Sequence, residues 1–263
     1  MPVIDFHTHI FPDALAERAL PKLTVKGVSP VLNGKVSALL ASMDAAGIET
    51  SVIANIATKP DQFDSIFAWS KAIASKRILP FASVHPDDPE LEAHVEVASK
   101  VGFKGIKLHP YFQKFALDEP RLKPLYDVVE KSGLVLLVHC GFDVAFPRDR
   151  ICDPARVRAV ADKWPKLKIV AAHLGGWMDW DEAERWLIGR PVVLDLAACF
   201  GYLDETRLRS LILRHPAEYL VFGSDSPWFD EKKSVENVRR LRLPAKLEEG
   251  ILYNNAARLL GLK

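Results

Sequence analysis

Cysteine is scarce in this chain: three among 263 residues, Cys140, Cys152 and Cys199, an odd number without the paired spacing of a zinc ribbon or a dithiol redox motif. They read as reduced, mostly buried small apolar residues, and no disulfide framework is expected. An excess of one charge is missing as well: 35 basic and 34 acidic residues leave a formal net charge of +1, and no basic run stands out. Such a surface is not built to attract nucleic acid or an anionic membrane, so neither is expected as a partner. No apolar run approaches the roughly 20 residues of a membrane span. The first residues also lack the charged, apolar, small-residue order of a secretory leader, and the expected location is the cytoplasm. There is no low-complexity stretch, no linker, and no Gly-x-Gly-x-x-Gly turn after the first apolar run. The last absence withdraws the main support for a dinucleotide-binding fold.

What is present is a large apolar fraction, 49%, enough for a sizeable core. It is distributed as eight short runs: 2–7, 51–56, 78–84, 104–109, 134–139, 168–173, 192–196 and 220–224. Amphipathic helical stretches lie between them, such as 35–46 before Gly47, 88–101 before Gly102 and 121–132 before Gly133, each glycine sitting where a helix stops. Pro154 and Pro244 fall near expected helix starts, where a missing amide hydrogen costs little. Strands apolar on both faces and alternating with helices predict a parallel sheet covered on both sides, and eight units predict an α/β fold of the closed (β/α)8 barrel type, one domain over 1–263. An open doubly wound sheet is the alternative. The first strand-to-helix connection, 10–34, is unusually long and carries Pro12, Pro21, Gly27, Pro30 and Gly34; it reads equally as a lid or pocket wall, with a short helix near 14–20, and as a packing insertion.

The chemistry-bearing residues fall at the carboxyl ends of the runs. The first run ends in His7-Thr8-His9, and residues i and i+2 of a strand share a face, so both imidazoles converge on one point as a chelate requires. Lys107 and His109 end the fourth run, His139 the fifth and His173 the sixth, and Asp225 follows the eighth. Barrel strands converge at that face, which brings residues distant in sequence within the reach of one metal shell.

Six segments together resemble the successive signatures of the amidohydrolase superfamily, in particular the amidohydrolase-related group that includes aminocarboxymuconate-semialdehyde decarboxylase. They are Asp-Phe-His-Thr-His at 5–9, Gly-Phe-Lys-Gly-Ile-Lys-Leu at 102–108, Leu-Val-His-Cys-Gly at 137–141, Ala-His-Leu-Gly-Gly at 172–176, Phe-Gly-Ser-Asp-Ser-Pro at 222–227 and Asn-Ala-Ala-Arg-Leu-Leu at 255–260. The resemblance spans the chain. It implies that His7, His9, His139 and Asp225 hold a divalent metal, with His173 beside it as a catalytic residue acting on the bound water or substrate and Asp225 doubling as proton acceptor. Three imidazoles and a carboxylate suit zinc first, and manganese, iron, cobalt or nickel are accepted by the same donors. In binuclear members a lysine ending the fourth strand is carbamylated and bridges two metals. Lys107 sits near that place, but a free ammonium facing an anionic substrate is the favoured reading.

His109, Tyr111, Phe112, Gln113, Phe142, Trp177 and Trp228 are expected to wall the pocket, as aromatic groups beside a metal suit a flat substrate. Arg148 is placed among the substrate-binding residues, and Arg150 shares its capacity to grip a carboxylate, with Asp149 as a competing partner. His85 has a pocket and a packing reading in balance; His94 and His215 receive no role. The expected function is a metal-dependent hydrolase that cleaves an amide, ester or lactone in a small organic molecule, with non-oxidative decarboxylation as the alternative. A nuclease of the TatD type and a non-catalytic metal-binding scaffold rank below these. A homodimer is expected by analogy alone.

Overall fold

The computed structural model describes residues 2–24 and 27–262; two positions of the long first connection, 25 and 26, lie outside the described residues. All eight strands are present: β1 (Val3–Thr8), β2 (Ile48–Ile53), β3 (Ile78–Pro80), β4 (Gly105–Leu108), β5 (Val135–Val138), β6 (Lys168–Ala171), β7 (Val193–Asp195) and β8 (Leu220–Val221). Each pairs in parallel with its sequence neighbours within two groups, β1–β3 and β4–β8. Parallel bridges Ala82↔Ile106 and Thr8↔Ser226 join the groups at both seams and close the barrel. β2 begins three residues earlier than its apolar run suggests, because Ile48 and Thr50 pair with Val3 and Ile4. Residues 54–56 therefore leave the sheet as a loop over the barrel mouth.

Alternation sorts the strand residues into two layers. Ile4, Phe6, Val52, Phe81, Val135, Leu137, Val170, Val193 and Val221 fill the lumen, and Ala256 and Leu260 of helix Asn255–Leu260 close its floor. The other parity, including Val3, Ile53, Leu108, Leu136, Ile169 and Leu194, packs against helical residues such as Leu39, Met43, Val95, Val129, Val160 and Leu208. Each such fully buried side chain contributes about 1.5–3 kcal/mol. Helices Val36–Ala46 and Lys123–Ser132 stop at Gly47 and Gly133, both left-handed (φ 70° and 66°) as the sequence predicts.

β1 departs from simple alternation where it matters. Asp5 pairs with Ser51 but Thr8 pairs with Ile53, so β1 carries one extra residue against β2, a bulge. Ile4 and Phe6 face the lumen; without the bulge, His7 and His9 would share the outward parity of Val3 and Asp5. The irregularity turns both imidazoles inward. Asp5 helps to hold it, its Oδ1 accepting the backbone N–H of His7 at 3.1 Å and of Ser224 at 3.0 Å.

Behind this wall Glu231, the first residue of helix Glu231–Arg240, lies within electrostatic range of Asp5. Both side chains are fully buried; Asp5 Oδ2 and both Glu231 carboxyl oxygens have no hydrogen-bond partner of ordinary geometry, although Ser42 lies beside Glu231. Burial pushes Glu231 up to about 8, with Asp5 adding repulsion, and burial pushes Asp5 up to about 7 against its hydrogen bonds to Ser224 and His7. The folded state then keeps protons that the unfolded chain has released. Their stabilisation is complete below the ordinary carboxyl range and is lost as pH rises toward 8. Glu231→Gln, which stays neutral, is expected to flatten the fall of melting temperature between pH 5 and 8.5 and to exceed the wild type at pH 8.5 by roughly 1–3 kcal/mol. Parallel pH profiles of the two proteins in thermal denaturation would contradict this.

Candidate active site

The carboxyl end of the barrel gathers one donor from each of His7, His9 and Asp225 within 4.8 Å of one another. Asp225 Oδ1 lies 3.3 Å from His9 Nε2 and 3.7 Å from His7 Nε2. Two backbone bonds across the β8–β1 seam set these distances: Asp225 N–H donates to His7 O at 2.8 Å and His9 N–H to Ser226 O at 2.6 Å. Asp225 is held at φ 67°, a left-handed conformation that aspartate tolerates better than most residues. Gly223 leaves room for His7, since a Cβ there would stand 2.9 Å from the His7 Cβ.

Burial lowers the pKa of His9, and burial together with the Lys107 charge holds His7 well below its ordinary value, so both rings are neutral as metal ligation requires. Burial pushes the Asp225 carboxyl up, but the hydrogen bond from His9 and the surrounding imidazoles outweigh it and hold the group well below the usual carboxylate range.

Asp195 completes this arrangement, and sequence reasoning missed it. Its Oδ2 lies 2.9 Å from His7 Nδ1, and its Oδ1 accepts the backbone N–H of His173 at 2.7 Å and of Ala197 at 3.0 Å. A carboxylate on Nδ1 selects the tautomer that leaves the Nε2 lone pair facing the cavity. The missed signal was an acid ending the seventh strand, the same placement that marked the other site residues.

Lys107 is buried, with Nζ 3.0 Å from His7 Nε2, and burial lowers its pKa to about 8. His173, also left-handed at φ 61°, places Nδ1 3.0 Å from Ala197 O and Nε2 3.1 Å from His139 Nδ1, while His139 Nε2 lies 3.1 Å from Phe142 O. Those three contacts need three N–H groups and two neutral rings carry two, so one contact goes without a proton unless the pair holds an extra one. The remaining expected ligand, His139, stacks on His109 at 4.2 Å and groups with His109 and Asp143 rather than with the His7, His9 and Asp225 donors.

Above the donors lies a cavity of about 280 Å³. Lys107, His109, Phe112, Trp177 and Trp228 line it as expected, joined by Asn55 and Phe229. Phe11, Lys22, Leu23 and Val28 from the long first connection form one side, which matches the pocket-wall reading of the described part of that segment. Other expected contacts are not in the wall. Tyr111 donates its hydroxyl to Asp149 O at 2.5 Å. Arg148 lies over the Phe142 ring and bonds Met178 O, so both it and Phe142 are outside the lining, and Arg150 is tied by two hydrogen bonds to Asp179. These groups are spent on loop structure because each finds a carbonyl, ring or carboxylate nearer than the cavity. Gln113 is an interior brace, bonding Ala57 O, Val84 O and the His109 N–H. His85, which sits beside Asp87, and the packed His94 and His215 are also outside the lining.

Parallel strands closed into a barrel, with imidazole and carboxylate donors converging at their carboxyl ends, define a (β/α)8 barrel with a metal-type centre. The family described as amidohydrolase matches residues 4–262, and the chain belongs to that family. No curated protein matches significantly. Among solved structures the chain is similar to 5-carboxyvanillate decarboxylase from Sphingomonas paucimobilis (17% identity, TM-score 0.74, 100% of this chain and 99% of that one). It is also similar to 2,6-dihydroxybenzoate decarboxylase from Rhizobium (18%, 0.68, 99% of each). A third is a candidate 2-pyrone-4,6-dicarboxylic acid hydrolase from Pseudomonas putida (18%, 0.69, 98% and 97%). At these identities the likeness is one of fold. Among the described residues no helix is long and apolar enough to cross a membrane.

Proposed function

We propose that this protein is a metal-dependent, non-oxidative decarboxylase of a small, flat carboxylic acid. The observation that carries this reading is Lys107, a buried amine beside the His7 donor atom in a cavity walled by Phe112, Trp177, Trp228 and Phe229. Below pH 8 it is an ammonium with no carboxylate hydrogen-bonded to it among the described residues, although Asp225 and Asp195 act on it through space, and it lines an aromatic-walled cavity. A substrate carboxylate can accept a hydrogen bond from that ammonium, and the rings supply flat apolar contact.

His7, His9 and Asp225 fit a divalent ion: their donors are close, the imidazoles are neutral, the carboxylate is ionised, and Asp195 orients His7. His139 joins them by the family resemblance, and zinc is the first candidate. When bound, the ion supplies Lewis-acid polarisation of substrate oxygens. In decarboxylation the bond to the carboxylate carbon breaks, carbon dioxide leaves, and the carbon left behind takes a proton. Asp225 and His173 face the cavity and are the groups placed to hold that proton.

Hydrolysis, first in the expectation from sequence, becomes the second reading. An ionised Asp225 aimed into the cavity also suits removal of a proton from attacking water. That two of the three neighbours described above are decarboxylases supports the order chosen here. The test is a panel of aromatic carboxylates, lactones and amides assayed in parallel for carbon dioxide and for acid release. Carbon dioxide from an aromatic acid is the expected result; acid release alone, from lactones or amides, would replace decarboxylation with hydrolysis.

A further inference from the structure

Asn55 has no role in the chemistry above, yet it is built into the cavity wall. It follows β2 in the loop 54–56, is 9% exposed, and lines the same cavity as Lys107 and Trp228. Its Oδ1 is buried without a hydrogen-bond partner, and no protein group bonds either end of the carboxamide among the described residues. Its loop is nevertheless well fixed. Ala54 N–H donates to Thr8 O at 2.7 Å, Ala57 N–H donates to Ser83 Oγ at 2.8 Å, and Gln113 Nε2 donates to Ala57 O at 2.9 Å. The same Gln113 holds His109, whose Nδ1 is a second buried polar atom on this wall without a partner.

A rigidly placed polar side chain that bonds nothing in the protein is unfavourable for folding alone, because buried polar groups normally find partners. We infer that Asn55 is a specificity-determining residue that reads a hydroxyl group on the substrate. A carboxamide offers one acceptor and one donor side by side, whichever way the amide is turned, and a hydroxyl both gives and takes a hydrogen bond. A second carboxylate would only accept, so it could use the Nδ2 donor but would leave Oδ1 unpaired; the cavity already has its anion site at Lys107. His109 Nδ1 offers a further contact on the same wall. The inference rests on the reading of the substrate as a small carboxylic acid.

Calorimetric titration of the purified protein with benzoate and its three monohydroxy isomers tests it, alongside thermal denaturation of wild type and Asn55→Leu. The wild type is expected to bind at least one hydroxy isomer roughly 5–150-fold more tightly than benzoate, the span of one satisfied against one orphaned polar group. Asn55→Leu is expected to abolish that preference, to bind benzoate at least as well, and to melt at or above the wild-type temperature, since no protein hydrogen bond is lost. Equal affinity of the wild type for all four acids, or a preference that survives in Asn55→Leu, overturns the inference. If none of the acids binds wild type, the aromatic-acid reading itself fails and the thermal arm decides. An unchanged or raised melting temperature upholds Asn55 as a ligand-reading group; a fall of more than about 3 °C assigns it to the fold and overturns the inference.

Discussion

Asp225→Asn is expected to lower turnover by about 10²–10⁴-fold while leaving the barrel folded. Asparagine is the informative substitution because it tolerates the left-handed conformation at φ 67° and keeps the side-chain shape, so backbone strain is not added to the loss of charge. What disappears is an ionised oxygen 3.3 Å from His9 Nε2 and 3.7 Å from His7 Nε2. That oxygen is both the anionic member of the donor group and a proton carrier. Metal content per chain, read by elemental analysis, should fall together with kcat, while the circular dichroism spectrum stays that of the wild type. Full turnover in Asp225→Asn would remove Asp225 from the chemistry, and a collapsed spectrum would reassign it to closing the β8–β1 seam.

Lys107→Met is expected to raise KM for a carboxylated substrate by roughly 10²-fold with a smaller change in kcat, as when one member of a desolvated charge pair is removed. Methionine keeps the length and apolar stem of the side chain and deletes the ammonium 3.0 Å from His7 Nε2. With the lysine pKa lowered to about 8 by burial, the cationic form is present below that pH and is lost above it. Substrate affinity of the wild type should therefore weaken as pH rises through 8, and this limb should be missing in Lys107→Met. The same depressed pKa makes the free amine available to carbon dioxide, which is the route to a carbamate bridge. Metal analysis of protein prepared with bicarbonate separates the two roles. One ion per chain in both proteins supports the ammonium; two in the wild type and one in Lys107→Met would establish the bridge and favour binuclear hydrolysis.

Much of the site was legible as polar residues ending apolar runs. His7, His9, Lys107, His109, His173 and Asp225 were singled out this way, because an imidazole, ammonium or carboxylate at the end of a buried strand needs a reason, and all six line the one cavity. Asp195 carried the same signal and was passed over. Its partner is His7, 188 residues away, and only the closed barrel brings the two together. Arg148 and Tyr111, expected to touch substrate, instead bond loop carbonyls outside the cavity lining, because a neighbouring loop supplies an acceptor closer than the cavity. Asn55 gave no sign, lying inside a run, 51–56, read as strand.

By itself, the order of residues determined the eight strand–helix units, the barrel, the family and most of the donor types, because period, apolar content and glycine stops are local properties. The tertiary structure decided which of those groups face one another. A one-residue bulge in β1 turned His7 and His9 into the lumen, ring stacking set His139 beside His109, and the Asp5–Glu231 pair was buried behind the wall. Each depends on contacts between elements far apart in the chain, and hydrogen-bond geometry at that range is set by how strands close rather than by what any one strand prefers.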